Sequence, residues 1–221
     1  MSKKGFIFDL DGVIVDTAKY HYLAWQKIAE KLGIEFTPHH NEKLKGVSRV
    51  RSLEIIMELG KITATEQEKQ LWLTQKNDDY LSYLTDIDSS EILPGVMPIL
   101  SHLETLKQPI ALGSASKNAR PILEKTGIID LFDAIVDGND VSQAKPDPEV
   151  FLVAARKLNL APEDCIVFED SEAGIQAANI AGMVSVGIGD AKVLHEAAFN
   201  FPDFTHMDTA FIDGLLKKVK A

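Results

Sequence analysis

The sequence predicts an α/β protein, a doubly wound parallel-sheet (Rossmann-like) core with an inserted all-helical cap domain. Two observations predict this class. Short apolar runs alternate with helical patterns over most of the chain, and one long stretch near the N-terminus carries helical patterns alone. Runs that are apolar on both faces and separated by helices are typical of a buried parallel sheet. We expect the core to comprise residues 1–15 and 93–221, and the cap residues 16–92.

Five apolar runs are too short to be helices and are predicted as the strands of the core. In chain order they are 5–8, 110–113, 134–136, 166–168 and 184–187. Helical patterns precede or separate the last four, at roughly 97–107, 117–127, 148–159 and 171–181. This alternation predicts a parallel, doubly wound sheet.

Between about 17 and 90 the apolar residues fall at helical spacing, and no strand-like run interrupts them. Three stripes carry the pattern: Tyr22, Trp25, Ala29 and Leu32, then Leu53, Ile56 and Leu59, then Leu71, Leu81 and Leu84. We interpret Leu53, Ile56 and Leu59 as core of this helical segment. Trp25 is interpreted first as cap core, although a place beside a ligand remains open.

Composition limits the partners. Acidic residues outnumber basic ones by 33 to 23, for a formal net charge of −10. Nucleic acids and anionic membranes bind basic surfaces, so we expect neither as a partner. An anionic substrate would therefore need a local cluster of basic side chains and backbone amides. The single cysteine, Cys165, excludes an internal disulfide and lies in an apolar run, so it is predicted to be buried. With no signal peptide or membrane span predicted, we expect a cytoplasmic protein.

Polar side chains follow four predicted strands, at the edge where open α/β sheets bind ligands. Asp9 and Asp11 follow the first strand, and their spacing projects both carboxylates the same way, so that one can attack while the other handles protons. Clustered carboxylates need a cation, and Mg²⁺ prefers oxygen ligands. A hydroxyl and an ammonium on the opposite side would neutralise phosphate charge. The other groups at this edge are Ser114, Lys145, Glu169 and Asp170.

These four motifs, in this order, resemble those of the haloacid dehalogenase superfamily, and the resemblance spans the chain nearly end to end. It implies that Asp9 is the nucleophile and Asp11 the general acid/base. It also implies that Asp9, the carbonyl of Asp11 and Asp170 bind Mg²⁺, with Glu169 in or beside that shell. Ser114 and Lys145 complete the catalytic set. The helical insertion matches the cap that smaller members carry after the first motif.

Within the superfamily the chain resembles the β-phosphoglucomutase family, through residues 16–21, 44–49, 76–78 and 114–118. The resemblance implies interconversion of β-glucose 1-phosphate and glucose 6-phosphate by way of a bisphosphate, and a monomer. A mutase must hold two phosphates at once, and we expect Arg49, Lys117 and Asn118 to form the distal site. The full substrate-binding set is Thr17, His21, Trp25, Lys45, Gly46, Val47, Ser48, Arg49, Lys76, Ala115, Ser116, Lys117 and Asn118.

Other interpretations stay open at this point. A magnesium-dependent phosphatase acting on a sugar phosphate or phosphoglycolate would share every core residue, because water can replace the sugar as acceptor. A receiver-type switch domain also carries carboxylates, a hydroxyl and a lysine at its strand ends, but the cap and Asp11 oppose it. A dehalogenase needs neither Asp11 nor a magnesium site. His21 can be a surface histidine or a link between the cap and Asp11, and Arg49 can simply solvate its helix.

Overall fold

The computed structural model describes residues 3–217. The core predicted from the sequence also includes residues 1–2 and 218–221, which lie outside the described residues. Six strands form one parallel sheet in the order β3-β2-β1-β4-β5-β6. They are β1 (Gly5–Phe8), β2 (Ile110–Gly113), β3 (Ala134–Val136), β4 (Cys165–Glu169), β5 (Val184–Ile188) and β6 (Phe199–Phe201). The five predicted strands are confirmed, and β6 was missed.

Nine α-helices occur within the described residues. The cap contains α1 (Ala18–Lys31), α2 (Pro38–Glu42), α3 (Arg49–Gly60) and α4 (Glu66–Tyr83). The core contains α5 (Val96–Thr105), α6 (Ala119–Lys125), α7 (Glu149–Lys157), α8 (Glu172–Ile180) and α9 (Thr209–Lys217). None of those described has both the length and the apolar character needed to cross a bilayer.

The sheet is apolar on both faces because helices cover both. Phe8 and Phe168 stack at 4.6 Å between ring centroids and belong to one buried cluster, while Ile7 and Val167, one position back, belong to a second cluster on the other face. Phe8 pairs with Leu112 on one side and with Phe168 on the other. The residues after these three therefore emerge side by side, where the strand order reverses between β1 and β4.

The cap has a core of its own. Trp25 from α1, Leu53 and Ile56 from α3, and Trp72 from α4 are buried in one cluster. Thr65 closes a capping box with Glu68 at the start of α4, which fixes where that helix begins. Cys165, at the start of β4, is buried as predicted, and burial raises the pKa of its thiol to about 11.

The prediction that Leu59 belongs to the buried core of the cap is wrong. Leu59 is 38% exposed, whereas Met57 is buried beside Leu53 and Ile56. At about 100° per residue, two steps of three residues rotate a side chain about 120° away from the first position. A step of four rotates it only about 40°, so Met57 stays on the buried face. In α4 the same geometry buries Trp72, Lys76 and Tyr80 and leaves Leu71 and Leu81 exposed.

Two chain connections join the cap to the core, and they run side by side. Val15 forms an antiparallel bridge with Ile92, and the Asp16 amide donates to the Glu91 carbonyl at 2.8 Å. The Leu93 amide donates to the Ile14 carbonyl at 3.0 Å. The two chain connections between cap and core therefore form one short paired segment next to the first motif.

Candidate active site

Lys145 lies at the centre of the strand-end cluster. Its Nζ atom donates to Asp9 Oδ1 at 2.6 Å, to Glu169 Oε2 at 2.8 Å and to the Gly113 carbonyl at 3.1 Å. Burial works to lower the pKa of Lys145, but the two carboxylates outweigh it and hold that pKa above its ordinary value. Burial raises the pKa of Asp9 well above its usual range, although Lys145 opposes this. The ends of β1, β2 and β4 are thus joined by one buried ammonium.

Three carboxylates could hold a cation together. Asp9, Glu169 and Asp170 each offer an oxygen within 4.8 Å of the others. Burial raises the pKa of Asp170 to about 7, with Lys45 opposing the rise, so the cluster is short of positive charge. An all-oxygen donor set with excess negative charge fits a hard divalent cation.

Glu169 has little capacity left for a direct metal bond. Its Oε1 atom accepts from the amides of Asp170 and Ser171 and from the Ser171 hydroxyl, and its Oε2 atom accepts from Lys145. This pattern favours Glu169 beside a metal shell rather than in it. The Asp11 side chain does not belong to the cluster, so a metal bond from Asp11 would have to use its backbone carbonyl.

The carboxylate of Asp11 faces the cap instead. Its Oδ1 atom accepts from the Thr17 hydroxyl and lies 3.5 Å from His21 Nε2. Burial acts to raise the pKa of Asp11, but His21 and Thr17 hold it below its ordinary value. Burial and the neighbouring Lys76 lower the pKa of His21. His21 Nδ1 lies 2.7 Å from Lys76 Nζ, so a neutral ring that accepts there donates from Nε2 toward Asp11.

A cleft of about 720 Å³ lies between the cap and the strand ends, and it brings nearly all predicted site residues together. Thr17 and Glu169 do not line it but are buried directly behind it. Those that line it are Asp9, Asp11, His21, Trp25, Lys45, Gly46, Val47, Ser48, Arg49, Lys76, Ser114, Ala115, Ser116, Lys117, Asn118, Lys145 and Asp170. Trp25 is buried in the cap core as predicted and also lines the cleft, so its place beside a ligand stays a prediction.

The cap contributes basic side chains to this cleft. Lys45 Nζ lies 3.3 Å from Asp170 Oδ2 and so bridges the cap to the carboxylate cluster. Lys76 is buried against the rings of Trp25 and Tyr80, and burial together with Arg49 lowers the pKa of its ammonium to about 7. Ser48 caps α3, where its hydroxyl accepts from the Arg51 amide at 3.2 Å. Arg49, the first residue of that helix, is therefore held at the cleft wall.

The loop after β2 forms the opposite wall. The Ser114 hydroxyl accepts from the Ser116 amide at 3.1 Å, and the Ser116 hydroxyl accepts from the Asn118 amide at 3.2 Å. The Asn118 side chain then donates to Asn77 Oδ1 on α4 at 3.2 Å. This last bond is a direct contact between the core loop and the cap.

Three residues near the cleft were missed. Asn77 holds Asn118, Ser171 caps α8 and donates to Glu169, and Tyr80 is buried beneath His21. Tyr80 could have been found, because it lies four residues after Lys76 and so on the same face of a helix. Ser171 could have been suspected as a hydroxyl directly after a predicted strand end.

Comparison with known proteins agrees with this arrangement. The family model for haloacid dehalogenase-like hydrolases matches residues 3–182. A β-phosphoglucomutase of Bacillus subtilis is 46% identical over 191 residues, covering 86% of this chain and 84% of that protein. The crystal structure of a Clostridium difficile β-phosphoglucomutase superposes with a TM-score of 0.93 at 42% identity, covering 98% of each chain. A phosphorylated carbohydrates phosphatase of Thermotoga maritima is 32% identical, covering 86% of this chain and 89% of its own. The chain belongs to the haloacid dehalogenase-like hydrolase family.

Proposed function

We propose that this protein is a phosphohexomutase that interconverts β-D-glucose 1-phosphate and D-glucose 6-phosphate through a 1,6-bisphosphate. One observation carries the proposal. Arg49 and Lys117 line the cleft from opposite walls, and neither forms an ion pair with a carboxylate among residues 3–217. Burial lowers the pKa of Arg49, and the charge of Asp78 offsets this only in part. Arg49 is half-buried, and such a cation without a partner is costly unless an anion binds it, whereas Lys117 is exposed on the facing loop. These two side chains offer a binding site for a second phosphate group, separate from the phosphate that would react at Asp9.

The roles of the core residues follow from their contacts. Asp9 would attack phosphorus, so that the phosphoryl group moves from the sugar oxygen to an Asp9 oxygen. Asp11, whose carboxylate starts ionised, would take the proton of the sugar hydroxyl that attacks the phosphoryl group on Asp9, and would return that proton to the sugar oxygen that departs in the next transfer. Lys145 would hold Asp9 in place and offset charge that gathers on the transferred group. Thr17 and His21 would orient the Asp11 carboxylate.

The metal we propose is Mg²⁺, bound by Asp9 and Asp170 with the Asp11 carbonyl. Mg²⁺ would supply charge neutralisation at the phosphoryl oxygens. Glu169 would orient Lys145 and Ser171 next to it. Support comes from the all-oxygen donor set and from the raised pKa values of Asp9 and Asp170.

Residues 16–92 are proposed as a cap domain that closes on the core, consistent with their separate buried cluster and the paired connections at Val15 and Ile92. The substrate would be a small phosphosugar, bound by a monomer, with no nucleic acid or membrane involved. The alternative is a phosphatase for sugar phosphates, the activity named for the Thermotoga maritima relative. Such an enzyme would use the same core residues with water as acceptor.

The decisive assay incubates the protein with Mg²⁺, β-glucose 1-phosphate and a trace of the 1,6-bisphosphate. Glucose 6-phosphate formed is compared with inorganic phosphate released. A mutase forms mainly glucose 6-phosphate, whereas release of phosphate alone would replace the proposal with the phosphatase.

A variant tests the distal site directly. Arg49→Ala should lower mutase turnover by ~10²-fold or more, because a charge-assisted pair in a closed site is lost. Hydrolysis of acetyl phosphate, which has no second phosphate, should change far less. Arg51→Ala is the matched control, since Arg51 is exposed and already bound to Glu54 and Glu58. Equal losses of both activities in Arg49→Ala would contradict the distal role.

A further inference from the structure

Tyr80 is a buried residue next to the catalytic carboxylate whose hydroxyl is unexplained. Its side chain is fully buried in α4. Among residues 3–217 its hydroxyl has no hydrogen bond of normal geometry, although the side chains of Thr17 and Asp11 lie within reach of it. A buried hydroxyl without a partner costs free energy of folding, and phenylalanine would fill the same space without that cost. A tyrosine at this position therefore indicates a use for the hydroxyl in another step of the cycle.

The surroundings of Tyr80 show which group that use concerns. The charge of Asp11 and the hydroxyl of Thr17 lie close enough to shift the pKa of Tyr80, which burial raises well above its ordinary value. Thr17 already commits its proton to Asp11. The Tyr80 hydroxyl is thus an available hydrogen-bond donor beside the Asp11 carboxylate, which must exchange protons with the substrate.

The ring of Tyr80 has a second set of contacts. The His21 ring packs on it at 4.1 Å between centroids, with 31° between the planes. Lys76 Nζ lies 4.6 Å from the centroid of the Tyr80 ring and also contacts His21 Nδ1. The side chains of His21 and Lys76, which approach Asp11 from α1 and α4, therefore both pack on this one aromatic ring.

We infer that Tyr80 is a positioning residue for Asp11. Its ring holds His21 and Lys76 in place, and its hydroxyl donates to the Asp11–Thr17 pair when Asp11 turns toward the sugar oxygen. The inference rests on the proposed role of Asp11 as acid and base. It adds that α4 carries a support for that role which costs stability in the substrate-free protein.

This arrangement predicts opposite effects of one substitution on stability and on rate. Tyr80→Phe should leave the melting temperature equal or raise it, because the unpartnered hydroxyl is removed. The same variant should lower kcat by ~10-fold, a part of what a positioned acid/base contributes, with KM nearly unchanged. Tyr80→Leu should lower kcat further and also raise KM, since Lys76 and His21 lose their support.

The control is Tyr22→Phe, because the Tyr22 hydroxyl is also in the cap but reaches only the Phe36 carbonyl, at 3.5 Å. It should change neither kcat nor KM. The coupling to Asp11 is tested by introducing Tyr80→Phe into Asp11→Asn, where it should have no further effect on the residual rate.

Three results would overturn the inference. They are an unchanged kcat in Tyr80→Phe, a lower melting temperature in that variant, or an equal loss of rate in the Asp11→Asn background. Turnover is measured as glucose 6-phosphate and phosphate together. Release of phosphate without glucose 6-phosphate by the wild type would therefore overturn the mutase proposal alone, and the effect of Tyr80→Phe would still be read from phosphate.

Discussion

Replacing Lys145 with methionine tests how the strand ends are held together. Methionine keeps the approximate length of the side chain and removes the ammonium. The substitution deletes the hydrogen bonds to Asp9 at 2.6 Å, Glu169 at 2.8 Å and the Gly113 carbonyl at 3.1 Å. Two buried carboxylates then face each other without a cation between them.

The magnitude follows from the burial of this group. Removing one partner of a buried ion pair costs about 3–5 kcal/mol, because the remaining charge has no compensation. For a chain of this length that loss corresponds to a fall in melting temperature of about 6–20 °C. The cost should shrink as pH falls from 8 to 5. The pKa of Asp9 is already raised and rises further without Lys145, so protonation relieves the repulsion in the folded variant.

The assay is thermal unfolding followed by circular dichroism, with a chelator present so that no metal replaces the missing charge. Lys27→Met is the matched control, because Lys27 is exposed and pairs with Asp79 across the cap surface. Its melting temperature should stay close to that of the wild type. A Lys145→Met protein as stable as Lys27→Met at pH 8 would refute the structural role assigned to this ammonium.

Three further outcomes are expected. Asp9→Asn, or chelation of the metal from the wild type, should reduce turnover to background, because an amide is a poor nucleophile and a weak metal ligand; substantial turnover in either case would place the chemistry elsewhere. Gly46→Ala should lower kcat/KM by roughly 10-fold or more, because Gly46 has a φ of 72° and an added Cβ would collide with the Ser171 hydroxyl. Gly33→Ala is the control and should keep full activity, because an added Cβ there meets open space. Burial lowers the folded-state pKa of Lys76 to about 7, so between pH 7 and about 10 the unfolded chain binds more protons than the folded protein, and wild-type stability rises with pH. Lys76→Met lacks this group, so any excess of its free energy of unfolding over that of the wild type should shrink across the same window. Denaturant unfolding at pH 7 and pH 9.5 measures this difference, and parallel curves would contradict it.

Local patterns determined most of the architecture. Strands β1 to β5 are continuous apolar runs because helices bury them on both faces, and such runs can be read one segment at a time. The rule that ligands bind where parallel strands end then placed Asp9 near Lys145 and Asp170, although 136 positions separate Asp9 from Lys145. Strand β6 was missed because its three residues are only half-buried and the polar Asn200 interrupts the apolar run.

Within the cap, the sequence determined that helices form but not which face of each is buried. Leu59 and Leu71 satisfy an apolar pattern, yet both are exposed. Lys76 is buried although it is charged, because the rings of Trp25 and Tyr80 pack against it and its ammonium donates a hydrogen bond to His21 Nδ1. Those contacts join α1 to α4 and do not exist until the two helices pack.

The chemistry-bearing residue types and their order along the chain were set by the sequence alone. Tertiary structure decided that the oxygens of Glu169 accept from Lys145 and Ser171, and that Thr17 and His21 reach Asp11. It also placed the Tyr80 hydroxyl beside them without a hydrogen bond of normal geometry. Helix and strand preferences act over a few neighbouring residues and so can be read from the chain. The state of a carboxylate depends on burial and on charges a few ångströms away, and those come from distant segments that only folding brings together.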